Sequence, residues 1–528
     1  MNLNIELQPE EHTPLYAQIY DYIRKEIVEG RLLKGEKLPS TRTLSSFLHI
    51  SRSTVTQAYS QLEAEGYIRS SRGSGAYVEG VDNLAIPERN IFPAEAKSAN
   101  AVLPKAAAGA AAPMLRSEND ASASFSDLFP AEAKSANAAT PNAAAGATAQ
   151  RDASLIDFSP RKIDMSAFPY PTWRRITRDV MAYDNADIFE MGDPQGDQEL
   201  RDAIAHYLHF FRGCRCSAQQ VVIGAGSDYL LVLLHLILKT PRTIAMESPT
   251  YLRAYRILAS QGEHIVPVPM DESGMRADAL EESGCDTAYV MPARQYPTGT
   301  VMPYKRRIEL LQWANEKDGR YIIEDDYDSE FRYRGKPIRS LQSQDPGGKV
   351  IYMGTFSKSV APAIRVSYMI LPPSLLEAYR KEGTVLSSTV SRIDQSILNT
   401  FIRDGYFERY LNKMRTIYKE KHDVCLEGLR PLHRRFQVMG AGAGLHFILK
   451  DLWTKCRSFD EAVDKEKQLQ SRALAAGVRI YTQSALCLPS APYLQDGSPK
   501  PTILIGYASL SEEKIREGLS ILEKELLT

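Results

Sequence analysis

A chain of 528 residues, 43% apolar and 24% charged, has material for two to four domains at roughly 100–200 residues each and too many large apolar side chains for wholesale disorder. Its 64 basic and 65 acidic residues leave a net charge of -1, which excludes a strongly basic coat over the whole surface. The longest near-apolar run, residues 230–238, is interrupted by His235 and falls short of the ~20 residues that cross a bilayer. The first twelve residues, MNLNIELQPEEH, carry three acids and no Lys or Arg, so neither a membrane span nor a secretory leader is expected and the predicted location is the cytoplasm. Six cysteines, of which only Cys214 and Cys216 lie close, suit a reducing compartment. With no further Cys or His cluster at usable spacing, that pair reads as a surface turn, and no metal is expected.

In chain order, apolar residues at positions 15, 19, 23 and 27 mark one stripe of a helix over 15–28 (LYAQIYDYIRKEIV), which Gly30 ends. Ser40 is a good N-cap for a short helix over 41–48. Ile50 and Ser51 turn the chain into a second helix over 53–65, stopped by Gly66, and residues 67–69 and 76–78 read as short strands around a glycine-containing hairpin, RSSRGSG. Between Lys37 and Gly75 stand five basic residues (Lys37, Arg42, Arg52, Arg69, Arg72) against two acids (Glu63, Glu65), a basic patch inside a neutral chain.

Composition shifts near residues 81 and 155. The stretch between is rich in Ala, Ser, Pro and Asn, and FPAEAKSANA at 92–101 recurs unchanged at 129–138, an offset of 37 residues. Identity that close in a low-complexity tract predicts a flexible linker lengthened by tandem duplication, because a folded repeat array needs about three units and diverges at its caps.

From residue 158 onward apolar strands are predicted at 221–223, 243–246, 264–267, 287–291, 321–324 and 350–353, with helical patterns over 228–238, 251–261 and 306–315. This is an α/β alternation on a mainly parallel sheet. The part from about 379 begins with long helices and finishes on a smaller mixed segment with a last helix over 511–527.

A helix-turn-helix sets the first residues of its second helix in the major groove, where short polar and basic side chains reach phosphates and base edges. Ser51, Arg52, Ser53 and Thr54 fall there; Arg42 on the preceding helix, and Arg72 with Gly73 at the hairpin tip, are placed for flanking backbone and minor groove. Any one of these arginines alone reads equally as a solvated charge on a small helical adaptor. Together, LYAQIYDYIRKEIVEGRL, GEKLPSTRTLSSFLHISRSTVTQAYSQLEAEGYI and RGSGAYV resemble the winged helix of the GntR superfamily over about residues 14–78. The resemblance implies operator DNA as partner, touched by Arg42, Arg52, Ser53, Thr54, Arg72 and Gly73.

A second set of residues suits pyridoxal phosphate, whose enzymes need a lysine, a carboxylate for the pyridine nitrogen, a group near the ring oxygen, an aromatic against the ring and an anion cradle. GTFSKSVAPAIR offers Lys358 and, on the same loop, Arg365; YIIEDDYDSEFRY places Asp325 at the carboxyl end of a strand with Tyr327 close by. VVIGAGSDYLL is strand, glycine turn and helix start, so the N–H groups of Gly226 and Ser227 are candidates to cradle phosphate, and MESPTYLRAY offers Tyr251 to stack. Singly these are weak, since a loop lysine is usually a solvated charge and a Gly-Ala-Gly usually a tight bend. In this order, with MGDPQGDQELRDAIAHYL and QYPTGTVMP, they resemble the class I aminotransferase domain of MocR/GabR regulators over about residues 158–526. That resemblance implies that Lys358 forms the aldimine, Asp325 pairs with the pyridine nitrogen, Tyr327 bonds the ring hydroxyl and Tyr251 stacks. Thr355, Ser357, Arg365, Gly226 and Ser227 then hold the phosphate, and Arg253 is a candidate for a ligand carboxylate.

Three departures stand out. Met191 replaces the tyrosine of the usual YGDPQG; Ala293, Arg294 and Gln295 replace S-H-Q, followed by Tyr296 in place of the aminotransferase asparagine; and ILIGY puts Leu504 where an aminotransferase has its substrate-carboxylate arginine. The last change removes a bidentate clamp on an α-amino acid. The expected molecule is therefore multi-domain: a winged helix-turn-helix DNA-binding domain (1–80), a flexible linker (81–155), and an α/β fold-type I, PLP-dependent aminotransferase-like effector domain (156–528). The expected function is a transcription regulator sensing pyridoxal 5'-phosphate, an amine or an amino acid, and by resemblance a domain-swapped homodimer. The alternative is a working aminotransferase with a regulatory DNA-binding module. Effector, target genes and the sign of regulation are not legible in the residues.

Overall fold

The computed structural model describes residues 5, 7, 14–71, 75–79, 155–182, 186–239, 241–333, 338–489 and 499–527. Met1–Ile91 and Ile156–Thr528 form one compact unit. The predicted linker and its 37-residue duplication lie, but for residue 155, outside the described residues, as do Arg72 and Gly73.

The N-terminal part is α1 (Leu15–Val28), α2 (Thr41–Phe47), α3 (Arg52–Ala64) and an antiparallel pair, β1 (Ile68–Ser71) with β2 (Gly75–Val78). The apolar stripe of α1 behaves as its period demands: Ile19, Ile23 and Ile27 are buried against Leu44, Val55 and Leu62. Ser40 caps α2 by accepting from Thr43 N at 3.0 Å, and Ser51 caps α3 by accepting from Thr54 N at 3.2 Å. This small domain rests on the large one. Tyr304 N donates to Glu65 O (2.9 Å), the Tyr67 and Tyr304 rings lie 4.7 Å apart, and Arg339 pairs with Asp21 (3.1 Å). Gly66 sits between them at φ +76°; a Cβ there would stand 2.6 Å from the Pro303 Cβ, so the contact requires glycine on both counts.

The large domain is built on seven strands: β3 (Val221–Gly224), β4 (Thr243–Glu247), β5 (His264–Val268), β6 (Thr287–Val290), β7 (Tyr321–Asp326), β8 (Val350–Thr355) and β9 (Ser367–Ile370). Their spatial order is β3-β9-β8-β7-β6-β4-β5. Six of the seven match the predicted strands. The seventh, β9, was not anticipated and is antiparallel to both β8 and β3. Its four residues are wholly buried, so they show no period-2 alternation, and a run that short carries no other signal.

Alternation sorts the sheet's two faces. Val221, Ile223 and Tyr352 join one core with the helices Gln198–Arg212, Arg392–Arg403 and Tyr406–Gly428, while Val222, Ile351 and Met353 join another with Ser227–Leu238 and Leu252–Ser260. A smaller antiparallel sheet of Phe436–Met439, His446–Asp451, Thr502–Gly506 and Tyr481–Thr482 packs on helices Phe459–Ala475 and Glu512–Leu527. Among the described residues no helix is long and apolar enough to cross a membrane, and none form a metal-binding cluster. The surface-turn reading of Cys214 is corrected. It follows the helix end at Gly213, is fully buried, and lies 3.2 Å from Ser340 Oγ.

Candidate cofactor and DNA sites

The carboxyl ends of β3, β4, β6, β7 and β8 converge on one cavity of about 140 Å³, lined by Ser227, Tyr251, Tyr296, Asp325, Tyr327, Thr355, Ser357, Lys358 and Arg365. Sheets of this kind bind ligands outside those ends. Of the predicted set, every member but Gly226 and Arg253 lines the cavity directly. The sequence reading missed Arg161, Pro160 and Met291, which also line it; the first two belong to a segment with no periodicity to mark them.

Lys358 lies on the short helix Phe356–Ser359 directly after β8, and its Nζ donates to Arg161 O at 2.6 Å. Burial, with the Arg161 and Arg294 charges against the opposing pull of Asp328, lowers its pKa to about 8. Asp325 is buried at the end of β7, where burial raises its pKa to about 6 despite a hydrogen bond from Tyr289 Oη. Tyr289 also escaped the sequence reading, although its position in β6 beside Ile323 gives it the sheet face that Asp325 shares. The Tyr327 hydroxyl accepts from Arg294 Nη1 at 3.1 Å, and Arg294, itself buried, pairs with Asp328 at 2.8 Å and donates to His446 O at 3.0 Å.

The residues predicted to cradle an anion come from three loops. Gly226 has φ +94°, and a Cβ on it would stand 2.1 Å from Arg365 Nη2, so only glycine lets that guanidinium approach. Its own N–H donates to Gly224 O (2.8 Å), which corrects the expectation that this amide faces an anion. Ser227 opens a twelve-residue helix and keeps one of the amides a helix start leaves unpaired. Thr355 Oγ1 accepts from Ser357 N (3.1 Å) and Ser367 Oγ (2.8 Å), whereas the buried Ser357 Oγ has no partner among the described residues. Arg365 adopts φ +52°, a conformation that costs a non-glycine residue of order 1–3 kcal/mol and persists where the surroundings impose it. The orphaned hydroxyl, the cradle that excludes a Cβ, and the lysine and aspartate together fit pyridoxal phosphate.

Arg253 lies outside the cavity lining, 63% exposed and paired with Asp228 at 2.5 Å; Asp228 also takes Arg365 at 3.3 Å. Leu504 is fully buried in the strand Thr502–Gly506, paired with Ile448 and Tyr481. Met191 is exposed.

On the N-terminal domain Arg42, Ser51, Arg52 and Ser53 are exposed and Thr54 half-buried, grouped around the start of α3. Arg52 Nε donates to Thr41 Oγ1 at 3.2 Å, linking the two helices. Ser51 Oγ lies 2.6 Å from Ser53 Oγ and 2.9 Å from Thr54 Oγ1, so three of the predicted DNA-facing hydroxyls already form the helix cap. Arg52 and Arg42 are the freer groups for a phosphate or base edge.

Fold and sites define an aminotransferase-type domain behind a winged helix. Residues 162–522 match the aminotransferase class I and II family, and residues 15–78 match the bacterial regulatory proteins of the gntR family. The chain is 35% identical over 525 residues to the "Uncharacterized HTH-type transcriptional regulator YhdI" of Bacillus subtilis (strain 168), covering 99% of this chain and 98% of that one. It is 30% identical over 519 residues to the "Probable rhizopine catabolism regulatory protein MocR" of Rhizobium meliloti, covering 97% and 94%. The crystal structure of a multiple substrate aminotransferase from Thermococcus profundus superposes with a TM-score of 0.62 at 25% identity, over 76% of this chain and 98% of that one. The chain belongs to the MocR-type family of HTH transcriptional regulators, in which a gntR-type winged helix is joined to an aminotransferase class I and II domain.

Proposed function

We propose that this regulator binds operator DNA through Arg42, Arg52, Ser53, Thr54, Arg72 and Gly73, with Ser51 shaping the recognition helix as its cap, and holds pyridoxal 5'-phosphate in the cavity around Lys358 as a sensor for an amine or amino acid. The observation that carries the cofactor reading is the convergence of a lysine of lowered pKa, a buried aspartate and a ready anion cradle in one cavity. When bound, pyridoxal phosphate supplies an aldehyde that condenses with amines and a ring that withdraws electrons. The chain's part is to present Lys358 as the attacking amine, to hold a carboxylate at the ring nitrogen with Asp325, to donate to the ring oxygen from Tyr327, and to cover the ring with Tyr251. Thr355, Ser357, Arg365 and the helix start at Ser227 hold the phosphate, and Gly226 admits Arg365.

The sensor reading rests on what the ligand side lacks. Leu504 is packed away in its sheet, and Arg253, outside the cavity lining and tied to Asp228, offers one point of carboxylate fixation where turnover of an α-amino acid needs two. In this reading the chain acts as a homodimer with each winged helix crossing to its partner. Phe189 and Met191, 69% and 85% exposed beside the GDPQG loop, supply an apolar patch for a second copy to cover. A gel-shift titration of the cofactor-loaded protein against the DNA upstream of its own gene, with and without an amino acid panel, tests the proposal: operator affinity should change with at least one amine while the cofactor stays bound.

A further inference from the structure

A cavity of about 710 Å³ opens between α1 and α3 of the winged helix and the large domain, and none of the residues assigned above to DNA or cofactor lines it. Five arginines line it, Arg212, Arg215, Arg332, Arg339 and Arg415, against two carboxylates, Asp21 and Glu330. Asp21 is already paired with Arg339. Arg212 is 2% exposed. Its Nε meets Asp326 Oδ2 at 2.7 Å and its Nη1 donates to Ile338 O, but its buried Nη2 has no partner among the described residues. Arg415 repeats the pattern: Nε donates to Glu330 O (2.7 Å), Nη1 to Asn412 Oδ1 (2.8 Å), and Nη2 is buried without a partner. Leaving a buried charged donor unmatched is costly, and guanidinium groups gathered on the lining of one cavity suit the planar oxygens of phosphate or carboxylate.

We propose that this cavity is a binding site for a small oxyanion, a phosphate or carboxylate group of a metabolite, held between the effector domain's arginines and the Tyr16, Tyr20, Gln57 and Gln61 side of the winged helix. Such a ligand touches both domains and holds them together. The site backs onto the cofactor cavity through one strand: Asp325 and Asp326 are consecutive in β7, so Asp325 faces the cofactor cavity while Asp326 holds Arg212.

The test titrates the full-length protein, saturated with pyridoxal phosphate, with inorganic phosphate and separately with citrate by calorimetry at low ionic strength. Saturable binding of either anion is expected, and the anion that binds assigns the group. Arg215→Ala with Arg415→Ala should weaken it about tenfold or more, the loss of charge-assisted hydrogen bonds, with the visible spectrum unchanged. Gln57→Glu, which places a negative charge on the opposite wall and removes no arginine, should weaken it as well and serves where the double variant does not fold. The double variant also separates this site from the phosphate cradle at Ser227, so the inference stands apart from the cofactor reading. Absence of saturable binding by both anions, or binding unchanged in these variants, overturns it.

Discussion

Lys358 is the residue whose chemistry its surroundings alter most usefully. A lysine in water has a pKa near 10.4; at about 8 the neutral, nucleophilic amine is plentiful at mildly alkaline pH. The rate of cofactor capture by cofactor-free protein should therefore rise with pH through a midpoint near 8, and a midpoint near that of free lysine would show that burial does not act on this amine. Lys358→Ala should lose the visible absorption band that borohydride removes from the wild-type protein; a band that survives dialysis and reconstitution in the variant removes Lys358 from the site. In the winged helix, Arg52 is exposed and its Nε donates to Thr41 Oγ1. Arg52→Ala should weaken operator binding about 5- to 150-fold if it reads a base, and chiefly flatten the salt dependence if it meets phosphate. The cofactor spectrum should not move, because Arg52 is not among the residues that line the cofactor cavity.

At the scale of elements, the turn between β3 and the helix Ser227–Leu238 carries the anion cradle, and Gly226 sets its geometry through φ +94° and the close approach of Arg365. Gly226→Ala should cost pyridoxal phosphate affinity by at least about tenfold, since the Cβ displaces a charged phosphate partner whose hydrogen bonds contribute roughly 1.5–3 kcal/mol. Equilibrium dialysis against the cofactor checks this, with the circular dichroism melt as the control for folding. The duplicated segment calls for the opposite result. Deleting one 37-residue copy should leave the melt and the cofactor spectrum unchanged, because closure entropy varies by only ~0.6 kcal/mol per doubling of loop length. A large domain that unfolds on the deletion would make the repeat structural.

At the scale of the molecule, the question is whether ligand chemistry ends in turnover or in a change of DNA affinity. The regulator's large domain keeps the lysine, the aspartate and the cradle, yet Leu504 lies buried in the strand that would carry the clamp and Arg253 is 63% exposed. Steady transamination should be negligible across common amino and keto acids, while an amine ligand changes the stopped-flow spectrum and the operator affinity. Turnover at ordinary enzyme rates with any common pair would make the chain an aminotransferase with a regulatory module.

The sequence by itself determined the two domains and their order, because both speak through local signals. The 15, 19, 23, 27 stripe, the Ser40 and Ser51 caps and the glycines at 30 and 66 act within a few residues of one another, and six of the seven sheet strands are apolar runs set between helices. Lys358, Asp325 and Tyr251 were legible because each lies at or just beyond the end of a strand that a ligand of this sheet meets. What only the tertiary structure decided are the contacts between distant segments. Tyr289 reaches Asp325 from a neighbouring strand, Arg161 comes to Lys358 from nearly 200 residues away, and β9 inserts antiparallel between β3 and β8. The arginine-lined cavity is of the same kind, since its walls are drawn from α1, α3 and four separate stretches of the large domain. Periodicity and capping act over a turn or two of helix or along one strand, whereas the charge balance of a cavity exists only once the segments that line it have packed.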